Sequence, residues 1–267
     1  MKRLSRKVRV TLLDLVDFLL ENSTINAAYE FACIHMKWIF IASPVVNFLI
    51  RRLSEAITPP GLSIAIIMDG NRRYAKSASI SKKAGHEMGY AHVYSILECM
   101  KRAKCRSVGF FAFGMKNFSR SEEEVSDIMG ILRRGLEKAE NSPDKKAFLD
   151  ALGVVGDISA MPSEMQPVLL RIRSTPQKKN CYLFLAYSSL YEYVSGRGDG
   201  TPEKFDIIIR PGGEKRLSDF LLCNSANNST LCFVSSKWPV LSAGHILMAV
   251  GKYVLESQLR SEGVEGA

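Results

Sequence analysis

No apolar, uncharged stretch of this 267-residue chain reaches the roughly 20 residues that a bilayer-spanning helix needs. The cleanest run, Trp38 to Ile50, falls short. The six cysteines form no C-x-x-C pair, and no histidine stands at zinc-finger spacing from them. That excludes the common structural zinc modules and leaves reduced, mostly buried thiols as the expectation. No G-x-x-x-x-G-K-[ST] is present, so a P-loop nucleotide enzyme is excluded. "GRGDG" at 196–200 has closely spaced glycines, but it follows no strand and opens no helix, and it reads as a flexible loop. The start "MKRLSRKVRV" is basic, but no compact apolar region with a small-residue cleavage site follows at once. No cleaved signal peptide is read there.

What is present is an ordinary globular composition with a basic balance. Lys and Arg number 36 against 27 Asp and Glu, a formal net charge of +9. An excess of this size suits an anionic partner, whether a phosphate-bearing substrate, a membrane surface or nucleic acid, and equally suits a solvated surface. No RNA- or DNA-binding motif occurs and the aromatics do not alternate with a basic stripe, so nucleic acid is not expected.

Residues 1–60 read as a helical extension and 61–267 as the main domain, joined by "TPPG" at 58–61. "VTLLDLVDFLL" places Leu12, Leu15, Val16 and Leu19 on one helical stripe. The apolar segment around 31–50 spans a membrane if Lys37 snorkels, lies in the interface, or packs on the body. Arg51 and Arg52 after it suit anionic lipid headgroups.

From residue 62 strand and helix patterns alternate. "LSIAIIM", "SVGFFAF", "GVVGD", "CYLFLAY", "FDIIIR" and "CFVSSKWPV" read as strands. The stretch from the first strand to about Gly85 reads as a polar loop. "EMGYAHVYSILECMKRAK", "SRSEEEVSDIMGILRRGLEKAE", "PSEMQPVLLRIR" and "SAGHILMAVGKYVLESQL" read as helices, the second opened by a Ser121/Glu124 capping box. The expected architecture is α/β, a mostly parallel sheet of about six strands flanked by helices.

Ligands of such sheets bind beyond the carboxyl ends of the strands. The first strand ends in Asp69-Gly70-Asn71-Arg72-Arg73, and the second in "GMKNFSR", with Asn117, Phe118 and Arg120. The fifth ends in "RPGGEKRLSDF", with Arg210, Gly212, Gly213, Arg216 and Ser218. Were these strands neighbours, their ends would make one rim of guanidinium groups, glycine turns and a single carboxylate. Guanidinium binds phosphate oxygens bidentately, and glycine lets backbone N–H groups approach an anion. One carboxylate with substrate phosphates suits Mg²⁺. The rim therefore reads as a site for one or two diphosphates with a metal, although Asp69 is also open to a plain salt-bridge role.

"MDGNRRYAK", "GHEMGY", "FAFGMKNFSRSEEEV", "DIIIRPGGEKRLSDFLL" and "KWPV" resemble, in order and spacing, the blocks of the cis-prenyltransferase family, the undecaprenyl and dehydrodolichyl diphosphate synthases. "MDGNRRYAK" and "SDFLL" are most similar to the eukaryotic catalytic subunits. No Asp-Asp-x-x-Asp cluster of the all-helical isoprenoid synthases is present. The resemblance implies Asp69 as the key acid, engaging Mg²⁺ and the allylic diphosphate. It places Gly70, Asn71, Arg73, Lys82 and His86 around that diphosphate, and Asn117 near the reacting carbons. Arg210, Arg216 and Ser218 would hold the isopentenyl diphosphate, Arg120 would support both, and Phe118 would be substrate wall or core. It further implies a product tunnel between the sheet and the helices "HVYSILECM" and "VSDIMGIL", although Met and Leu faces of this kind are more often plain core, and a place on the cytosolic face of the endoplasmic reticulum membrane.

Several positions depart from the family pattern. Lys82 stands where Arg is usual, Gly114 where Ser is common, and Leu190 where Arg often occurs. Ser229 stands where bacterial-type enzymes have a metal-binding Glu, and "LRSEGVEGA" holds no clean Arg-x-Gly tail. The segment before "DIIIR" is short, as if a helix were missing. These losses imply a heteromeric enzyme with a non-catalytic subunit, a homodimer being the alternative. A non-catalytic partner role for this chain itself is the competing reading, which the retained Asp69 opposes.

Overall fold

The computed structural model describes residues 5–35, 58–142, 148–176, 178–195, 204–226 and 229–264. The apolar run 38–50 and the "GRGDG" loop lie outside them. The apolar run after Leu62 is strand β1 (Ser63–Ile67), with every residue buried, as a strand covered on both faces must be. It pairs in parallel with β2 (Ser107–Gly114) on one side and β5 (Ile207–Pro211) on the other. Outside these lie β4 (Cys181–Tyr187) and β3 (Leu152–Val155) beyond β2, and β6 (Thr230–Val234) beyond β5. The order is β3-β4-β2-β1-β5-β6, with all five pairings parallel. The three strands whose ends carry the charged motifs are thus the adjacent central ones.

Helices α1 (Arg6–Glu21) and α2 (Ser23–His35) precede the sheet. The stretch read as a polar loop instead holds α3 (Asn71–Ser77), followed by α4 (Lys82–Arg102). Gly70, at φ 115°, turns the chain directly from strand end to helix start, a conformation open to glycine. The Ser81 hydroxyl accepts the Ala84 N–H at 3.1 Å and caps α4. Helix α5 (Glu122–Glu140) has the expected apolar face and three acids in its first turn. Helix α6 (Gln166–Ser174) and the short α7 (Ser189–Ser195) follow. A single helical turn at Leu222–Ser225 precedes β6, and α8 (Ala243–Val264) ends the described chain.

Two sequence expectations change in detail. "CFVSSKWPV" is strand only through Val234, and the rest turns back toward the sheet end. The stripe expected on α1 is rotated: Arg9 and Leu20 are buried, whereas Leu15 is half exposed. The physical reason is packing: that side of α1 lies against α8, where the buried Arg9 guanidinium pairs with Glu262. Among the described residues no helix is long and apolar enough to cross a membrane. Cys99, Cys105, Cys181, Cys223 and Cys232 are free thiols, and Cys223 is exposed rather than buried.

The core lies on both sheet faces. Ile64, Ile66, Phe110, Phe113 and Trp238 anchor the larger cluster, and Phe184, Phe205 and Phe220 the smaller.

Candidate active site

At the carboxyl ends of β1, β2 and β5 opens a cavity of about 910 Å³, within the usual size of a ligand pocket. Its wall carries the residues singled out from the sequence, except Phe118, Gly212 and Gly213. Its depth is apolar: Phe110, Ala112 and Leu183 from the sheet face Val93 of α4 and Ile128, Ile131 and Leu132 of α5. A polar mouth thus leads into a greasy pouch between sheet and helices.

Asp69 organises the mouth. Its Oδ2 accepts from Arg210 Nη2 at 2.8 Å, and its Oδ1 accepts from Arg73 Nη2 at 3.1 Å. Arg210 is 6% exposed, and its Nη1 donates to the Ser218 hydroxyl at 2.7 Å and to the Arg216 carbonyl. Ser218 has φ 53° and Asp219 has φ 65°, an unfavourable backbone for residues bearing a Cβ. Asp219 holds this turn by accepting from the Ser188 hydroxyl at 2.6 Å and the Leu190 N–H at 2.8 Å. Arg73 also donates to the Gly212 carbonyl, and a Cβ at Gly212 would come within 2.7 Å of Arg73 Nη2. Arg216 points outward and pairs with Glu214.

On the α4–α5 side the hub is Glu124, a carboxylate only 6% exposed. It accepts from Arg120 Nη1 at 2.8 Å, and Arg72 and His86 each lie 3.6 Å away. Burial lowers the His86 pKa below its ordinary value, with Glu124 opposing the shift and Arg120 and Arg72 adding to it. The His86 Nε2 and the Asn71 Oδ1 are buried without a hydrogen-bond partner. Such orphaned groups at a cavity mouth are what a polar ligand would satisfy. Asn117 caps the 3₁₀ turn after β2, accepting the Gly114 N–H at 2.8 Å. Lys82 sits exposed at the start of α4, on the cavity wall.

Of its two expected places, substrate wall or core, Phe118 takes the core. It packs edge-on against Phe113 with centroids 4.8 Å apart and lines a separate cavity of about 390 Å³. Ser229 lies before β6, at the opposite end of the sheet from Asp69, where its hydroxyl donates to the Phe205 carbonyl at 2.6 Å. Sequence reasoning missed Glu124 as a site residue because the capping-box pattern already explained it. Arg120 four residues earlier, at ion-pair spacing, was the available signal.

Deeper in the pouch, Tyr90 and Tyr94 of α4 join hydroxyls at 2.9 Å. Burial pushes the Tyr90 phenol well above its ordinary pKa, and the bond to Tyr94 adds to this. Gly135 of α5 makes room for Tyr90: a Cβ there would lie 2.2 Å from its hydroxyl oxygen.

Among the described residues no three His, Cys, Asp or Glu side chains cluster as a metal cage. That pattern still fits Mg²⁺, which is often held by one carboxylate, waters and substrate phosphates. Asp69 is the acid placed to do so, being 29% exposed and at the cavity mouth.

The model of the family described as putative undecaprenyl diphosphate synthase matches residues 67–196 and 197–260. The chain is 28% identical over 200 residues to a dehydrodolichyl diphosphate synthase of Encephalitozoon cuniculi, covering 74% of this chain and 72% of that protein. It is also 28% identical over 217 residues to the dehydrodolichyl diphosphate synthase complex subunit DHDDS of Homo sapiens, covering 70% and 65%. The fold is similar to the crystal structure of lavandulyl diphosphate synthase from Lavandula x intermedia in complex with dimethylallyl diphosphate. That match has a TM-score of 0.59 at 23% identity, over 74% of this chain and 96% of the other.

Proposed function

This chain belongs to the cis-prenyltransferase family and is a prenyltransferase, and from that premise we propose that it condenses isopentenyl diphosphate onto an allylic diphosphate, farnesyl diphosphate, to build a long polyprenyl diphosphate for dolichol synthesis. The observation that carries this reading is Asp69, gripped by Arg73 and Arg210 at the mouth of an apolar pouch. A charged rim over a greasy cavity matches a substrate with a diphosphate head and a hydrocarbon tail.

The residues divide the work between two diphosphates. Gly70, Asn71, Arg73, Lys82 and His86 surround the allylic one. Arg210, Arg216 and Ser218 hold the isopentenyl one, and Arg120 stands between. Mg²⁺ bound at Asp69 would neutralise charge on the departing diphosphate. The allylic C–O bond breaks with its electron pair leaving on the diphosphate. Donors already fixed around that group stabilise the charge as it develops. The isopentenyl double bond then supplies the electron pair of the new C–C bond. Loss of a proton to a diphosphate oxygen closes the new cis double bond. Asn117 orients the reacting carbons, and the apolar pouch takes the growing tail away from water.

Membrane association fits the same role, since the product is a long hydrocarbon. Helix α1 leaves Val8, Leu15 and Phe18 exposed beside Arg6 and Lys7, a face suited to an anionic bilayer surface at the endoplasmic reticulum. By analogy with the relative named as a complex subunit, the active form is a heteromer with a non-catalytic subunit. The intact Asp69–arginine set opposes that non-catalytic role for this chain. The test is incorporation of labelled isopentenyl diphosphate with farnesyl diphosphate and Mg²⁺, alone and with candidate partners, followed by product sizing. Long-chain product supports the reading, and no incorporation in any combination overturns it.

A further inference from the structure

The turn after β6, Ser235–Trp238, touches both diphosphate loops from behind. The Trp238 N–H donates to the Asp69 carbonyl at 2.9 Å, and the Gly212 N–H donates to the Ser236 carbonyl at 2.8 Å. Gly70 lies flat against it: a Cβ there would fall 2.8 Å from Lys237 Cβ. Neither loop can shift without moving this turn.

The turn is in turn held by the amino-terminal helices. The Ser235 N–H donates to the Leu20 carbonyl at 3.0 Å. The Ser236 hydroxyl donates to Asn26 Oδ1 at 2.8 Å, and the Lys237 N–H donates to Glu30 Oε1 at 2.6 Å, while the Lys237 ammonium pairs with Oε2. Asn26 is itself locked. Its Oδ1 also accepts from His245 Nε2 at 2.8 Å, and its amide donates to the Leu19, Leu20 and Asn22 carbonyls. Asn26 and Glu30 are 2% and 5% exposed. Burying a carboxylate to hold a backbone N–H is costly unless it is fully paired, as here.

We infer that Asn26 and Glu30 are positioning residues for the reaction, setting the Asp69–Gly70 and Gly212–Gly213 loops through Ser236 and Lys237. The amino-terminal helices then form part of the catalytic apparatus and are more than a membrane attachment. This rests on the diphosphate reading above. A loop displaced by about 1 Å costs on the order of a hundredfold in rate, so relaxing this support should act on turnover and diphosphate affinity together.

The test uses the full chain with Glu30→Ala, Glu30→Gln and Ser236→Ala, the last touching the Asn26 contact from the turn side. Three readouts are taken: Mg²⁺-dependent binding of inorganic diphosphate by calorimetry, kcat and KM for each substrate, and Tm. Glu30→Ala should weaken diphosphate binding about tenfold and lower kcat/KM about tenfold to a hundredfold. Glu30→Gln, which keeps an acceptor for the Lys237 N–H, should recover most of both. Ser236→Ala should fall between them. Lowered Tm with wild-type diphosphate affinity and wild-type kcat per folded molecule would overturn the positioning role and leave a structural one. A wild-type chain that neither binds diphosphate nor turns over would overturn the functional reading first, and this inference with it.

Discussion

Replacing Glu124 with Gln keeps the shape of the side chain and removes only its charge. In the protein that carboxylate accepts a 2.8 Å bond from Arg120 and lies 3.6 Å from both Arg72 and His86. A hydrogen bond to a charged group contributes about 1.5–3 kcal/mol. Arg120 is a quarter exposed, so water compensates part of its loss and about 2 kcal/mol is expected. For a domain of this size that corresponds to a Tm lower by about 4–8 °C. The released Arg120 and His86 no longer meet a diphosphate in fixed positions, so kcat/KM should fall on the order of tenfold to a hundredfold. Differential scanning calorimetry and steady-state incorporation kinetics measure the two effects. A variant with unchanged Tm and unchanged kcat/KM would refute the hub role, because it would mean that Arg120 and His86 are placed by something else.

Asp69→Asn should lose at least on the order of a hundredfold in kcat while remaining folded by circular dichroism, since it strips the charge from two guanidinium contacts and from the acid proposed to hold Mg²⁺. Wild-type turnover in that variant would remove Asp69 from the mechanism. His245 is pulled down to about 4 by burial, below its ordinary 6.5. A depressed histidine stabilises the fold above its unfolded pKa and loses that contribution as pH falls, here about 2 kcal/mol between pH 7 and 4.5. Urea unfolding of wild type against His245→Gln across that range should show the variant less acid-sensitive, and parallel curves would exclude the effect. Tyr90→Ala, which opens the pouch at Gly135, should shift products to longer chains by thin-layer or mass analysis. Unchanged product length would mean that Tyr90 does not bound the tail.

Much of this fold was legible because its strands are continuous apolar runs between capped helices. The rim was legible because each of its motifs sits within a few residues of a strand end. Adjacency of β2, β1 and β5 was an assumption that only the sheet order could supply. Helix α3 was missed because "NRRYAK" is too short and too charged to show an apolar periodicity. Glu124 was hidden by its own capping-box pattern. The grip of Asn26 on Ser236 and His245 crosses more than 200 residues of sequence. It has no local signature, since a polar side chain in a helix looks solvent-facing until its distant partners are known. Arg9 shows the same limit: buried against Glu262, it appears in the sequence as one more surface cation.

The arginines at the rim are already matched with carboxylates: Arg73 and Arg210 with Asp69, Arg120 with Glu124, and Arg216 with Glu214. With Arg72, Lys76, Lys82 and Lys116 also on the cavity wall, the rim keeps a net positive charge, but those paired guanidinium groups are already engaged rather than bare. An arriving anion gains only what it offers beyond the carboxylates it competes with. A multiply charged head bearing several oxygens can bridge more than one guanidinium at once, which a singly charged anion cannot. For the diphosphate head proposed as ligand, internal pairing would act as a threshold that favours it over singly charged anions.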